Sequence, residues 1–213
     1  MKLRFIFILV FCAVFDGSLT AQNQCAPVVN TSLFNGKDLH DWEFFLKDQA
    51  VDPTTVFMVK NAAIHITGNP FGYMRTKEQY SDYKLHLEWC WPVEASNSGV
   101  FIHAQEPDTI WPACIECQLM AGNAGDFICM AGADMNEHTD KSKIVVAKKE
   151  ASNEKPVGEW NTLEVTCKGN TIEVFINGTL QNKATGVTLS KGSICLQSEG
   201  KDVEFRNVFL MKL

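Results

Sequence analysis

An all-β fold, built as a two-sheet antiparallel β-sandwich, is what this sequence predicts. Three observations carry the prediction: apolar residues alternate with period two along several runs, turns rich in Gly and Asn separate those runs, and no run keeps a helical period. Many short strands of this kind pack as a sandwich or jelly roll. No internal repeat, low-complexity tract or long linker interrupts the 213 residues, so one domain is expected.

The elements follow in order. Tyr83, Leu85, Leu87, Trp89 and Trp91 share one side of a strand, opposite Lys84, His86, Glu88 and Cys90. In Ser98 to His103, Val100 and Ile102 oppose Phe101 and His103, and in the next run Ile115, Cys117 and Leu119 oppose Glu116, Gln118 and Met120. Leu163, Val165 and Cys167 alternate up to a turn at Lys168-Gly169-Asn170. Ile172, Val174 and Ile176 then run into Asn177-Gly178, a strong hairpin dipeptide. Ile194 and Leu196 oppose Cys195, Gln197 and Glu199, and a last strand is expected from about Val203 to Leu213.

The segment ahead of these strands has another character. Met1-Lys2-Leu3-Arg4 is basic, Phe5 to Phe15 is almost unbrokenly apolar, and Leu19-Thr20-Ala21 offers a small residue for cleavage. This is the anatomy of a secretory signal peptide over residues 1–21, followed by a lead segment over 22–31 and the domain over 32–213. The apolar run is well short of the roughly twenty residues that cross a bilayer as a helix, so no membrane span is expected. Export to a periplasm or the extracellular space follows. Cys25 follows Gln22-Asn23-Gln24 and not the Leu-small-small pattern of a bacterial lipoprotein site.

Nineteen Lys and Arg against twenty-five Asp and Glu leave a net charge of −6 with no basic cluster. Nucleic-acid binding rests on phosphate neutralisation, so it is not expected, whereas a small neutral ligand such as a sugar is easily accommodated. Export permits disulfides, but the cysteines beyond the leader are odd in number, from Cys25 to Cys195, so at least one thiol is unpaired. Cys114-Ile115-Glu116-Cys117 has C-x-x-C spacing without a second pair or a His cluster to complete a zinc site. Strand alternation also turns its two cysteines to opposite faces.

Chemistry is expected on outward strand positions, because inward faces build the core of a sandwich. The informative outward residues are His103, Glu116, Gln118, Gln197, Glu199 and Arg206, drawn from at least four segments far apart in sequence. Glu116 and Gln118 stand i, i+2, which places a carboxylate and an amide on one face about 7 Å apart. A solvated strand face would show the same spacing. His103 could serve as acid or base near neutral pH, or sit on the surface. Arg206 could clamp an oxyanion, or pair with Glu204 or Glu199. Gly122-Asn123-Ala124-Gly125-Asp126-Phe127 lacks a phosphate-loop pattern and reads as a hairpin loop. At the edge of a cleft its Asp126 would bind a hydroxyl or an ion. Trp111, in a loop, and Phe127 could stack on a sugar ring, although aromatic residues in sandwiches more often fill the core.

Six elements occur in a familiar order: Leu33-Phe34-Asn35-Gly36-Lys37-Asp38-Leu39 through Trp42, Asn97-Ser98-Gly99-Val100, Ile115-Glu116-Cys117-Gln118-Leu119, Gly158-Glu159-Trp160-Asn161, Leu196-Gln197-Ser198-Glu199-Gly200 and Phe205-Arg206-Asn207-Val208. In this the chain resembles the 3-keto-disaccharide hydrolase domain family over about Ser32 to Leu213. The resemblance implies a concanavalin A-like jelly roll, common in exported proteins of Bacteroidetes-like bacteria, and action on glycosides oxidised at C3. A ketone at C3 acidifies the C2 hydrogen, so a base can form an enolate and expel the C1 substituent, with water adding afterwards. That route needs a base, an enolate stabiliser and a proton donor. The resemblance points to Glu116 as base, Gln118 and Gln197 as hydroxyl binders, Glu199 as second carboxylate and Arg206 as clamp. Many members carry Arg after the Asn-Ser-Gly strand where this chain has His103, and the cysteine-rich stretch Cys114 to Cys129 is also unlike a generic member. No cofactor is identified and no motif fixes a metal, although a divalent cation could replace Arg206 as enolate stabiliser.

Three functions stand open at this level. The chain could cleave 3-keto-glycosides, serve as a non-catalytic carbohydrate-binding module on the same fold, or act as an ordinary glycoside hydrolase with Glu116 and Glu199 as its carboxylate pair. All three take a carbohydrate as partner. Oligomeric state is not legible. Convergence of the six outward residues in one ligand-sized cleft is the structural expectation to test.

Overall fold

The computed structural model describes residues 30–213; the expected signal peptide and Cys25 lie outside them. Fifteen strands, in chain order, are β1 (Asn30–Ser32), β2 (Trp42–Leu46), β3 (Phe57–Lys60), β4 (Ala63–Ile66), β5 (Gly72–Thr76), β6 (Tyr83–Cys90), β7 (Gly99–Ala104), β8 (Cys114–Gln118), β9 (Phe127–Met130), β10 (Val145–Val146), β11 (Asn161–Lys168), β12 (Thr171–Ile176), β13 (Thr179–Ala184), β14 (Ser193–Ser198) and β15 (Val203–Lys212). One 3-10 turn at Pro53–Thr55 is the sole helical element among the described residues.

The strands form two antiparallel sheets. The first has the order β13-β12-β11-β6-β15-β4-β3, with β1 also pairing β15. The second has the order β10-β9-β8-β7-β14-β5-β2. In the second sheet β7, β8, β9 and β10 lie side by side in chain order, whereas the β2–β5, β5–β14 and β14–β7 pairings join strands that are not consecutive, and only the tertiary fold creates them. The result is the all-β sandwich expected from the alternation, with almost no helix.

Local chemistry explains the elements that were legible. Asn177 and Gly178 both take positive φ (48° and 80°), as a tight hairpin turn between β12 and β13 requires. Leu85, Leu87 and Trp89 of β6, Val165 of β11, Val174 of β12 and Phe205 of β15 meet Val100, Ile102, Ile115 and Leu196 of the other sheet in one buried core. Cys117 joins that core, whereas Cys114 belongs to a second apolar cluster with Tyr73, Phe101, Ile128, Met130 and Cys195 on the far side of the second sheet. The two cysteines do face opposite ways, and all six described cysteines are buried free thiols.

Two positions depart from simple alternation. His103 takes φ 55° where the β7–β14 register shifts between Ser193 and Cys195. That bulge reverses the side chain, so His103 does not share the Glu116 face; it packs edge-on to Tyr83 at 5.7 Å and contacts the Leu189 and Ser81 carbonyls at 2.9 and 3.2 Å. Asn30 and Thr31, expected in the lead segment, pair with Met211 and Leu210 and so belong to the sheet. No helix of the described residues is long and apolar enough to cross a membrane.

Candidate active site

The outward face of the second sheet holds the site. Glu116 pairs with Phe101 across β7–β8, and Gly99 pairs with Gln118 one step along. On the other side of β7, β14 places Gln197 opposite Tyr73 of β5. Alternation on β8 and β14 therefore brings Glu116, Gln118 and Gln197 to one face. With Glu199, Asn97 and Trp111 they line a cleft of about 460 Å³, whose other wall is Ile128, Cys129, Met130, Ala131, Ile144 and Val145.

This face is not solvated. Glu116 is 3 % exposed, Gln197 2 % and Gln118 9 %. Gly99 makes the arrangement possible, since a Cβ there would stand 1.9 Å from Glu116 Oε1. Gln118 is anchored by its own strand end, its Oε1 accepting from the Leu119 and Met120 amides at 3.0 Å each. Gln197 Nε2 donates to Glu199 Oε2 at 2.9 Å. Three buried acceptors, Glu116 Oε1, Gln197 Oε1 and Asn97 Oδ1, have no hydrogen-bond partner within the protein. Such groups are costly unless a ligand supplies donors.

Burial holds the Glu116 carboxyl at a pKa of about 8, with the neighbouring Glu199 carboxylate adding to the rise. Burial also raises Glu199, partly offset by Asn97. Two carboxyls that share a cleft and are both pushed toward their protonated forms are suited to proton transfer. Trp111 is partly exposed and lies 6.3 Å from the Phe71 ring, giving the rim an aromatic edge suited to a sugar face.

Five of the expected residues converge here: Glu116, Gln118, Gln197, Glu199 and Trp111. Three do not. His103 is turned into the space between the sheets by the β7 bulge, and burial lowers its pKa. Arg206 projects from the outward side of the first sheet, where Nη2 pairs with Glu88 Oε2 at 2.7 Å and the guanidinium lies 4.0 Å over the Trp160 ring. Both sheets, packed roughly 10 Å apart, separate it from Glu116. Asp126 accepts the Lys148 amide at 2.8 Å and latches a loop instead of facing the cleft. Phe127 is in the core. The Gly122 loop is filled by its own protein: Glu154 accepts the Gly122 and Ala124 amides at 3.0 and 3.2 Å.

Asn97 and Gly99 were visible in the Asn97-Ser98-Gly99 element but unassigned; the signal was a glycine one strand from the buried glutamate. Among the described residues the cleft lining contains no Arg, Lys or His. Its carboxylate and amide oxygens are of the kind that binds hard divalent cations.

Solved structures with this fold include two candidate glycosyl hydrolases from Parabacteroides distasonis. The first is 21 % identical with a TM-score of 0.63, covering 86 % of this chain and 94 % of its own. A carbohydrate-binding module from Bacillus subtilis aligns at 10 % identity and TM-score 0.59, covering 81 % and 96 %. A Bacillus licheniformis β-glucanase aligns at 12 % identity and TM-score 0.59, covering 89 % and 100 %. At these identities they establish the concanavalin A-like fold shared with glucanases. Among curated proteins no relative matches. A family model described as a 3-keto-alpha-glucoside-1,2-lyase-like domain matches residues 30–211, and the chain belongs to that family.

Proposed function

We propose that the protein is an exported carbohydrate-active enzyme that cleaves 3-keto-glycosides by elimination followed by hydration. The observation that carries this reading is Glu116: a carboxyl buried on the cleft floor, one oxygen unpartnered, with a pKa of about 8. A base of that strength is matched to removal of a carbon-bound proton at neutral pH. Family membership and the glucanase-type fold support a carbohydrate substrate, and the family's 3-keto-glucoside description supports the oxidised sugar.

In the proposed sequence Glu116 takes the C2 proton, and the electron pair passes into C2–C3 as the C3 carbonyl becomes an enolate. The enolate re-forms the carbonyl, C1=C2 forms and the C1–O bond breaks. Glu199, whose pKa burial raises, donates a proton to the departing oxygen. Water then adds across C1=C2, with hydroxyl to C1 and hydrogen to C2, so the net reaction is hydrolysis. Gln197 and Asn97 hold sugar hydroxyls through their free acceptors, while Gln118 is spent on its own backbone and fixes the strand end. With Arg206 on the opposite face, enolate charge falls to the Gln197 amide; the oxygens of Glu116, Glu199 and Asn97 could hold a divalent cation, which would supply Lewis-acid stabilisation of an enolate.

Incubation with a 3-keto-disaccharide and with its unoxidised parent tests this directly. Cleavage of the keto sugar alone, with solvent deuterium at C2 of the product, is expected. Cleavage of the parent would favour a two-carboxylate hydrolase using Glu116 and Glu199, and binding without turnover would favour a carbohydrate-binding module. The periplasmic or extracellular location rests on the N-terminal signal-peptide anatomy and is tested by fractionating a producing cell.

A further inference from the structure

Behind the cleft wall, on the core-facing side of β9, Cys129, Asp134 and His138 bring a thiol, a carboxylate oxygen and an imidazole nitrogen within 4.8 Å of one another. His138 shows why this is more than a polar cluster. Its Nε2 lies 2.6 Å from the Lys143 carbonyl and its Nδ1 2.8 Å from Asp134 Oδ1. A neutral imidazole has one N–H and one lone pair. Donation from Nε2 to the carbonyl leaves the Nδ1 lone pair aimed at a carboxylate oxygen, acceptor against acceptor. A second ring proton or a shared cation resolves this.

The buried Cys129 sulfur beside both atoms favours the cation. Thiolate, imidazole and carboxylate together are zinc-type ligands, and an Nε2–H bonded to a backbone carbonyl is the contact that orients a ligating histidine. We propose that Cys129, Asp134 and His138 bind one zinc-class transition-metal ion, with a fourth position for water. Ligand atoms around such an ion stand roughly 3.5 Å apart, so the change needed is a small rotation of side chains. Lys141, whose Nζ lies 2.7 and 2.6 Å from the Asp134 oxygens, would compete with the ion for that carboxylate. Its side chain is exposed and free to withdraw.

The ion would act as a staple. The 131–144 segment leaves β9 and returns to it where Cys129 N–H donates to the Ile144 carbonyl at 2.8 Å, and Ile144 and Val145 form the cleft wall. Metal at this point would tie that wall to the core through Cys129, which borders the cleft. Zn²⁺ and Co²⁺ titrations of the chelator-treated protein, read by calorimetry and by thiolate-to-Co²⁺ absorption, test the site independently of any sugar chemistry. One ion per chain, a sulfur charge-transfer band and a raised Tm are expected. His138→Ala should weaken binding by at least roughly tenfold, and Lys141→Met should tighten it up to about fivefold by removing the competing ammonium. Cys129→Ser should abolish the sulfur band; if it does not fold, the other two variants decide. No Zn²⁺ binding, no sulfur band, or equal affinity in His138→Ala would overturn the proposal and leave His138 as a purely structural contact between Asp134 and Lys143.

Discussion

The two outward faces of the sandwich are built from the same period-two alternation and have opposite fates. On the first sheet Lys84, His86, Glu88, Glu164 and Arg206 lie at least partly in solvent, and the charges pair at the surface, Arg206 with Glu88 at 2.7 Å and Lys183 with Glu173 at 2.8 Å. On the second sheet Tyr73, Phe101, Cys114, Glu116, Cys195 and Gln197 are buried. The loops make the difference. The β7–β8 connection folds over the face and takes the Tyr73 hydroxyl as donor to Asp108 Oδ1 at 2.9 Å, while the 131–144 segment raises the other wall. Polar residues on a covered face become reactive, because desolvation raises their pKa values and leaves acceptors open to a ligand. Equivalent residues on an open face merely pair.

That contrast can be broken by substitution, first at Glu116. Replacing it by Gln keeps the shape and removes the base, so turnover of a 3-keto-disaccharide should fall by about 10²–10⁴-fold; near-normal steady-state rates would remove Glu116 from the chemistry.

Next in size is the pH dependence of stability. The folded-state pKa of about 8 exceeds the ordinary carboxyl value of 4.5, so the folded protein holds the Glu116 proton more tightly than the unfolded chain. The stability linked to that proton is complete below pH 4.5 and is lost as pH rises through 8. Between pH 6 and 9 this amounts to about 2.5 kcal/mol. Urea titrations should show the loss in the native chain and its absence in Glu116→Gln.

Gly99→Ala should follow, at about 1–3 kcal/mol, because its Cβ overlaps the Glu116 carboxyl and the strand must shift to admit it. Thermal melts read the stability, and a matching loss of turnover would show that the carboxyl itself had moved. The smallest effect is expected on the open face. Arg206→Ala removes a part-exposed ion pair and a contact over Trp160, worth up to about 1 kcal/mol each, and should leave turnover unchanged. A large loss of turnover there would reverse the assignment of the two faces.

Much of the candidate site was legible in the sequence. Glu116 and Gln118 share a face because β8 is regular, and Cys114 and Cys117 oppose each other for the same reason. His103 was misplaced because a bulge resets the period locally, and nothing in Phe101-Ile102-His103-Ala104 announces it. Arg206 was misplaced for a different reason. Its strand was read correctly, but strand period does not say which sheet a strand joins. The Cys129, Asp134 and His138 cluster was missed because Asp134 and His138 lie in a loop, where no periodicity exists to bring them to a strand cysteine.

The sequence by itself determined the strands, their turns and the alternation of each strand's two faces, since these depend on side-chain period and on the φ freedom of Gly and Asn over a few residues. It also carried the ordered elements that mark the family. Only the tertiary structure decided which strands became neighbours, which outward face the loops covered, and so which polar residues lost their water. Those outcomes depend on contacts between residues far apart in the chain, such as Gln197 beside Tyr73 and Arg206 beside Glu88. Local pattern does not encode them, and the burial and raised pKa of Glu116 arise from them.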